Sequence, residues 1–305
     1  MRIGLVGLGA IARKMHLEVL AQAPGFDLVA VADPVARHAH LPSYASLAEM
    51  RAAHPDLEAV TLCTPPQGRF ALACEAIAAG LHVMLEKPPG ASVSEVETLA
   101  ALARARGVTL FASWHSRAAP AVEQARDFLA TTAVQSVRID WREDVRKWHP
   151  GQGWIWAPGG LGVFDPGINA LSLLTAILPE RLHVTAARLE VPANRQAPIA
   201  AELALATASG VTVAAVFDWR ETGGETWNIA LETARGPVLI SGGGAQISGA
   251  GEMRPAALDA EYRALYARFA QLVAAGQSDV DLAPLQLVAD AFLLGARIAT
   301  DPFLD

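Results

Sequence analysis

The sequence predicts two domains of different construction: a doubly wound α/β half with a parallel sheet, then an α+β half on a mainly antiparallel open sheet. Three observations carry that expectation. The chain has 305 residues, too many for one small core and suited to two domains. In its first part, short and continuously apolar runs alternate with helical stretches, the pattern of strands buried on both faces. Further on, apolar and polar residues alternate with a period of two, which marks a sheet with one exposed face.

Taken in order, Ile3 to Val6, Phe26 to Ala32, Leu57 to Leu62, His82 to Leu85 and Thr109 to Ala112 read as the parallel strands. Helices are expected between them over Ile11 to Ala23, Ser46 to Ala53, Arg69 to Ala79 and Val93 to Arg106. A helix at Ala121 to Ala130 precedes the change of rhythm. Val137 to Trp141, Val184 to Val191 and Trp227 to Thr233 then alternate as half-exposed strands, with turn signals at Ser209-Gly210 and Arg235-Gly236-Pro237. Glycines cluster at 242–251, and two helices, Glu261 to Ala275 and Pro284 to Ala299, close the chain. The division expected is 1–117 for the first domain and 118–305 for the second, with the C-terminal helix able to pack back on the first.

Composition narrows the function. Apolar residues make up 52% and charged ones 18%, which excludes disorder. A net charge of −7 argues against nucleic acid as a partner. No apolar stretch approaches the roughly 20 residues of a membrane span. The N-terminal stretch is punctuated by glycines and runs into Arg13 and Lys14, unlike a signal peptide. Cys63 and Cys74 read as buried free thiols of a reducing, cytoplasmic compartment.

The first strand ends in Gly7-Leu-Gly9-Ala-Ile-Ala12, a GxGxxA fingerprint. Gly7 permits the tight turn, Gly9 lets a pyrophosphate approach the backbone, and Ala12 allows close helix–strand packing. Ala10 and Ile11 open the helix whose N-terminus attracts the anion. Asp33 ends the second strand at the distance where an acid binds ribose hydroxyls. The first domain is therefore read as a Rossmann domain for NAD or NADP. Asp33 favours NAD by repelling a 2′-phosphate. Arg37 and His38 could instead bind that phosphate or be solvated loop residues. Thr64-Pro65-Pro66 and Glu86-Lys87-Pro88 lie at carboxyl ends of strands, the edge where open α/β sheets place ligands. A lysine there, followed by two prolines that fix the backbone, reads as functional.

Together the fingerprint, the TPP and EKP segments and the helix start around Asp165 resemble the Gfo/Idh/MocA family of NAD(P)-dependent sugar and inositol dehydrogenases. The resemblance implies that Lys87 lies beside the nicotinamide and that Thr64, Pro65, Pro66 and Glu86 line the cofactor. It also implies that a helix at the domain junction supplies an acid, here Asp165. Where the family has a histidine four residues on, this chain has Asn169, so the family's histidine acid/base role does not transfer. That asparagine, WHSR at 114–117 and WREDVRKWHPGQGWIW at 141–156 resemble the bacterial L-arabinose/D-galactose 1-dehydrogenase branch. The resemblance implies oxidation of an aldopyranose at C1 to the lactone. A homodimer is implied by analogy.

Asp165 has a second reading, since Asp followed by Pro166 is a favoured N-cap and helix start. One oxygen can cap while the other faces a ligand. The expected catalytic set is Lys87, Asp165 and Asn169, with Lys87 and Asp165 sharing a proton around the C1 hydroxyl. Trp141, Trp148, Trp154 and Trp156 supply indoles, some as core and some as faces for sugar C–H groups. Among these, Trp148 and Trp154, with Glu143, His149 and His115, are the expected substrate contacts. No metal site is expected, because no second His or Cys lies at ligand spacing from His149. A dehydrogenase for another sugar or cyclitol, a reductase, and a non-catalytic cofactor-binding regulator are the competing readings.

Overall fold

The computed structural model describes residues 1–249 and 259–304; of the glycine cluster at 242–251, the last two positions lie outside them. The chain divides into two compact units, Met1–His115 with Asp259–Asp281, and Ser116–Leu258 with Leu282–Asp305. Residues 259–281 thus group with the first unit, a return that one boundary at 117/118 does not contain.

In the first unit β1 (Arg2–Val6), β2 (Asp27–Ala32), β3 (Ser43–Tyr44), β4 (Ala59–Leu62), β5 (His82–Glu86) and β6 (Leu110–Ser113) form one parallel sheet in the order β3-β2-β1-β4-β5-β6. The order reverses between β1 and β4, so a crevice for a ligand opens at their carboxyl ends. One face is covered through Leu47, Met50, Ala73, Ile77, Leu99 and Ala103. These come from the helices Leu47–Ala53, Pro66–Ala78 and Val93–Arg106. The other face packs on Ala12, Val19 and Leu20 and on Leu265, Phe269 and Leu272 of the returning helix Asp259–Ala275. The first helix is shorter than expected. It is π-helical over Ala12–His16, continues as Leu17–Leu20, and stops before Pro24 and a left-handed Gly25.

In the second unit an eight-stranded sheet has the order β13-β12-β11-β7-β10-β9-β8-β14. Its strands are β7 (Val134–Arg142), β8 (Leu182–Pro192), β9 (Ala200–Thr207), β10 (Thr212–Asp218), β11 (Thr226–Thr233), β12 (Gly236–Ser241), β13 (Gln246–Ser248) and β14 (Ala296–Thr300). Pairing is antiparallel except for β7 with β10 and β8 with β14. Alternate residues such as Ile139, Leu203, Val213, Phe217 and Ile229 are buried, while Glu202, Ala204, Thr212 and Ala214 are exposed. The helix Phe164–Ile177 lies on the buried face, with the Phe164 ring 5.7 Å from Phe217. The last predicted helix is corrected: it spans Ala283–Leu294, and the following residues form β14. Gly295 turns the backbone extended there, and the next five residues pair with β8.

Within the first unit an ionised group is buried. The Glu86 carboxylate, 2% exposed, accepts from Tyr262 Oη at 2.8 Å and from the Lys87 amide, and meets His16 Nε2 at 3.2 Å. Burial alone would raise the Glu86 carboxyl; the hydrogen bond and charge of His16, helped by the charges of His115 and Lys87, bring it from 4.5 down to about 2. Burial likewise opposes charge on His16, but Cys63, Tyr266 and Glu86 outweigh it and hold the imidazole well above its ordinary 6.5. Stability from Glu86 is present above about pH 4.5 and is lost as pH falls toward 2, an order of about 3 kcal/mol. Stability from His16 is full below pH 6.5 and is lost as pH rises through its raised value. Urea unfolding across pH is expected to show an acid limb that a Glu86→Gln variant flattens; identical acid limbs in both proteins would contradict this.

Candidate functional site

At the crevice of the first unit, Gly7 is held by two constraints. Its φ is +93°, and a Cβ there would stand 2.9 Å from the Thr64 amide of the neighbouring strand end. Gly9, by contrast, opens onto empty space, as a diphosphate needs. Ala10 and Ile11 are exposed beside it, and Ala12 is fully buried against the sheet. The residues present therefore fit a dinucleotide.

Asp33 binds its own loop. Its carboxylate accepts from the amides of Leu8 at 2.9 Å, Val35 at 2.9 Å and Ala36 at 2.7 Å. Burial opposes its charge, and these hydrogen bonds with the Arg37 charge still lower its pKa. An ionised carboxylate has about four lone-pair sites, so one is left over for a ribose hydroxyl. The Arg37 guanidinium is exposed and donates to the carbonyls of Asp33 at 2.7 Å and Ala36 at 2.8 Å.

The TPP and EKP segments are tied together. Pro66 is the first residue of the helix Pro66–Ala78, with Pro65 as its cap. From that helix the buried Arg69 donates to the carbonyls of Thr64, Glu86 and Pro88. Lys87 itself is half-buried. Glu86, expected to line the cofactor, turns its carboxylate inward onto His16 and Tyr262. His115 follows β6, and its Nδ1 lies 2.8 Å from Glu261 Oε2 while its ring stacks on Tyr262 at 5.5 Å. His115 thus has partners from the returning helix.

In the second unit the glycines of GGLG settle how Asp165 is presented. A Cβ on Gly160 would stand 2.2 Å from the Trp154 carbonyl oxygen, and one on Gly162 would stand 2.4 Å from that of Pro198. The close packing starts the helix early. The Asp165 amide donates to Gly162 O at 2.8 Å, and the cap residue is Val163, whose side chain makes no cap hydrogen bond. The expectation that Asp165 is the N-cap is corrected: it sits in the first turn, where the helix dipole favours a carboxylate. Asn169 is half-buried one turn further along.

Asp165 is 3% exposed, and His149 Nε2 approaches its Oδ2 to 3.5 Å. The His149 ring centroid lies 5.2 Å from Trp219, whose indole donates to Glu143 Oε1 at 3.2 Å. Trp227 donates to Glu143 Oε2 at 2.9 Å, and Trp148 lies 5.4 Å from Trp227. Asp165, His149, Glu143 and Trp148 are therefore linked through two indoles. Trp154 is half-buried and donates to Gln152 at 3.2 Å, whereas Trp141 and Trp156 are core.

The model of an oxidoreductase family with an NAD-binding Rossmann fold, Gfo/Idh/MocA, matches residues 1–113. A galactose 1-dehydrogenase of Pseudomonas fluorescens is 45% identical over 304 residues, covering 100% of this chain and 99% of its own. The chain belongs to the Gfo/Idh/MocA family. A D-galactose-1-dehydrogenase from Rhizobium etli superposes with a TM-score of 0.93 at 51% identity, over 99% of this chain and 97% of that one. The 3-ketoreductase KijD10 of Actinomadura kijaniata, solved with NADP, has a TM-score of 0.82 at 21% identity over 98% and 99%, a likeness of fold. This member of the family is an oxidoreductase with an NAD(P)-binding Rossmann domain. Both cysteines are free, Cys63 buried and Cys74 only half-buried. Among the described residues no helix is long and apolar enough to cross a membrane, and no cluster of three or more His, Cys, Asp or Glu side chains suits a metal.

Sequence reasoning missed Arg69, His16, Tyr262, Trp219 and Trp227. For the last two, the available signal was their place at or beside strand ends in a chain with seven tryptophans. A Gly162→Ala variant tests the packing that presents Asp165. Its φ of +55° and the close Pro198 oxygen predict a loss of about 2 kcal/mol or more in urea unfolding. An unchanged midpoint would contradict it.

Proposed function

We propose that the chain is an NAD(P)-dependent aldose 1-dehydrogenase that oxidises D-galactose, L-arabinose or D-fucose, as pyranoses, to the aldonolactone. The observation that carries the reading is the His149–Asp165 contact inside an indole-rich cluster. Full-length similarity to two galactose 1-dehydrogenases supports the substrate class. Oxidation at C1 removes a hydride from carbon and a proton from the C1 hydroxyl, leaving the lactone carbonyl. NAD(P), when bound, takes the hydride. The chain holds the cofactor through Gly7, Gly9, the helix start at Ala10 and Ile11, Asp33 or Arg37 at the ribose, and Thr64, Pro65 and Pro66. NAD is favoured by Asp33, and Arg37 allows NADP.

The proton goes to Asp165, and His149 beside it shares the charge that the carboxylate gains or loses. Asn169, one turn along the same helix, orients a hydroxyl by donating and accepting. Lys87 supplies the cation that stabilises the oxygen as the proton leaves. Glu143 keeps the neighbouring indoles in place, and Trp148 and Trp154 offer faces to the sugar's C–H groups. The enzyme acts in the cytoplasm, without nucleic acid, as a homodimer. Two free thiols, net charge −7 and the exposed alternate residues of the second sheet support those three statements in turn.

Initial rates with D-galactose are expected to fall by about 10²-fold or more in kcat/KM for Asp165→Ala and for Lys87→Ala. His149→Ala is expected to fall by about tenfold or more. Near-normal turnover in both the Asp165 and Lys87 variants would sink this mechanism.

A further inference from the structure

Lys87 leaves the sheet edge from a backbone that is held on both sides. Its amide donates to the Glu86 carboxylate, and the carbonyls before and after it, Glu86 O and Pro88 O, both accept from Arg69. The same guanidinium reaches Thr64 O, so one buried side chain spans the ends of β4 and β5. Arg69 suits this task because its planar fork presents five donors at fixed angles; a lysine ammonium has no such reach. Glu86 is in turn fixed by Tyr262 and by His16, and His16 Nδ1 lies 2.7 Å from Tyr266 Oη. Tyr266 Oη continues to Thr61 Oγ1 at 3.2 Å on β4. The buried chain therefore runs from the returning helix to the two strands that flank the lysine loop.

A burial argument separates this arrangement from ordinary core packing. An apolar core would bring the same elements together without placing a charged carboxylate and a guanidinium in it, and burying such groups is costly unless every partner is in place. Here the partners converge on the peptide unit that enters Lys87 and on the carbonyl of the residue that follows it. We propose that Arg69 and Glu86 are positioning residues for Lys87, and that Tyr262 acts through Glu86 to the same end. The proposal rests on the reading of Lys87 as a participant in the oxidation.

The test is a double-mutant cycle on the full-length enzyme with D-galactose. Arg69→Lys is expected to lower kcat by about tenfold or more, with KM for the sugar and the dissociation constant for NADH, read by fluorescence, each within about twofold. In a Lys87→Ala background the same substitution is expected to cost nothing further, because the residue it positions is gone. Tyr262→Phe keeps the ring and deletes only the hydroxyl; it is expected to show the same non-additivity with a smaller loss, and serves if Arg69→Lys does not fold. Losses that multiply fully in the Lys87→Ala background, or that appear in NADH affinity instead, would overturn the inference. So would normal kcat in both positioning variants. If Lys87→Ala itself keeps normal turnover, the reading of Lys87 fails, an outcome distinct from additivity.

Discussion

A carboxylate buried beneath the EKP loop constrains the first unit. Glu86 has to be satisfied on all sides, and its partners come from three separate parts of the chain: His16 on the first helix, the adjoining Lys87 amide, and Tyr262 on the returning helix. An ionised group without those donors would cost several kcal/mol. The packing of residues 259–281 with the nucleotide-binding half follows from this together with the apolar contacts of Leu265, Phe269 and Leu272 on the sheet. The segment leaving that helix also protects the sheet edge. Asp279 exchanges backbone hydrogen bonds with Leu110 and Ala112 of β6, and Trp114 donates to Asp281 O.

In the second unit the equivalent constraint is steric. Gly160 and Gly162 let the backbone pass so close to Trp154 and Pro198 that the helix begins before Asp165. The carboxylate therefore sits in the first turn of the helix, not at its cap position, and lies beside His149, the residue that ends the short helix Val145–Trp148. The imidazole beside Asp165 comes from position 149, not from position 169 on the same helix. A positional comparison along one helix does not reveal it.

What the chain shows without a structure follows from the range of the interactions. The helix Val93–Arg106 is set by neighbours within a few residues and was legible, and the fingerprint and Asp33 were legible through their spacing along the chain. So was the alternation of β7, β8 and β11. Strand β14 was hidden, because Gly295 inside an apolar run resembles a tolerated helix glycine until β8 offers it an edge. Tyr262 with Glu86 and Trp227 with Glu143 are 176 and 84 residues apart, and such pairs leave no local trace. The resemblance implies that Glu86 lines the cofactor, and its carboxylate turns to His16 and Tyr262, partners that the local sequence does not announce.

The reaction is oxidation of an aldopyranose at the anomeric carbon, with the hydride passed to a nicotinamide cofactor. Its most direct test is a panel of initial rates of nicotinamide reduction with D-galactose, L-arabinose, D-fucose, D-glucose and myo-inositol, each with NAD and with NADP. High rates on the first three sugars and low rates on glucose are predicted, with aldonolactone as product. Activity on inositol alone, or on none of the five, would contradict the assignment and leave only the fold standing.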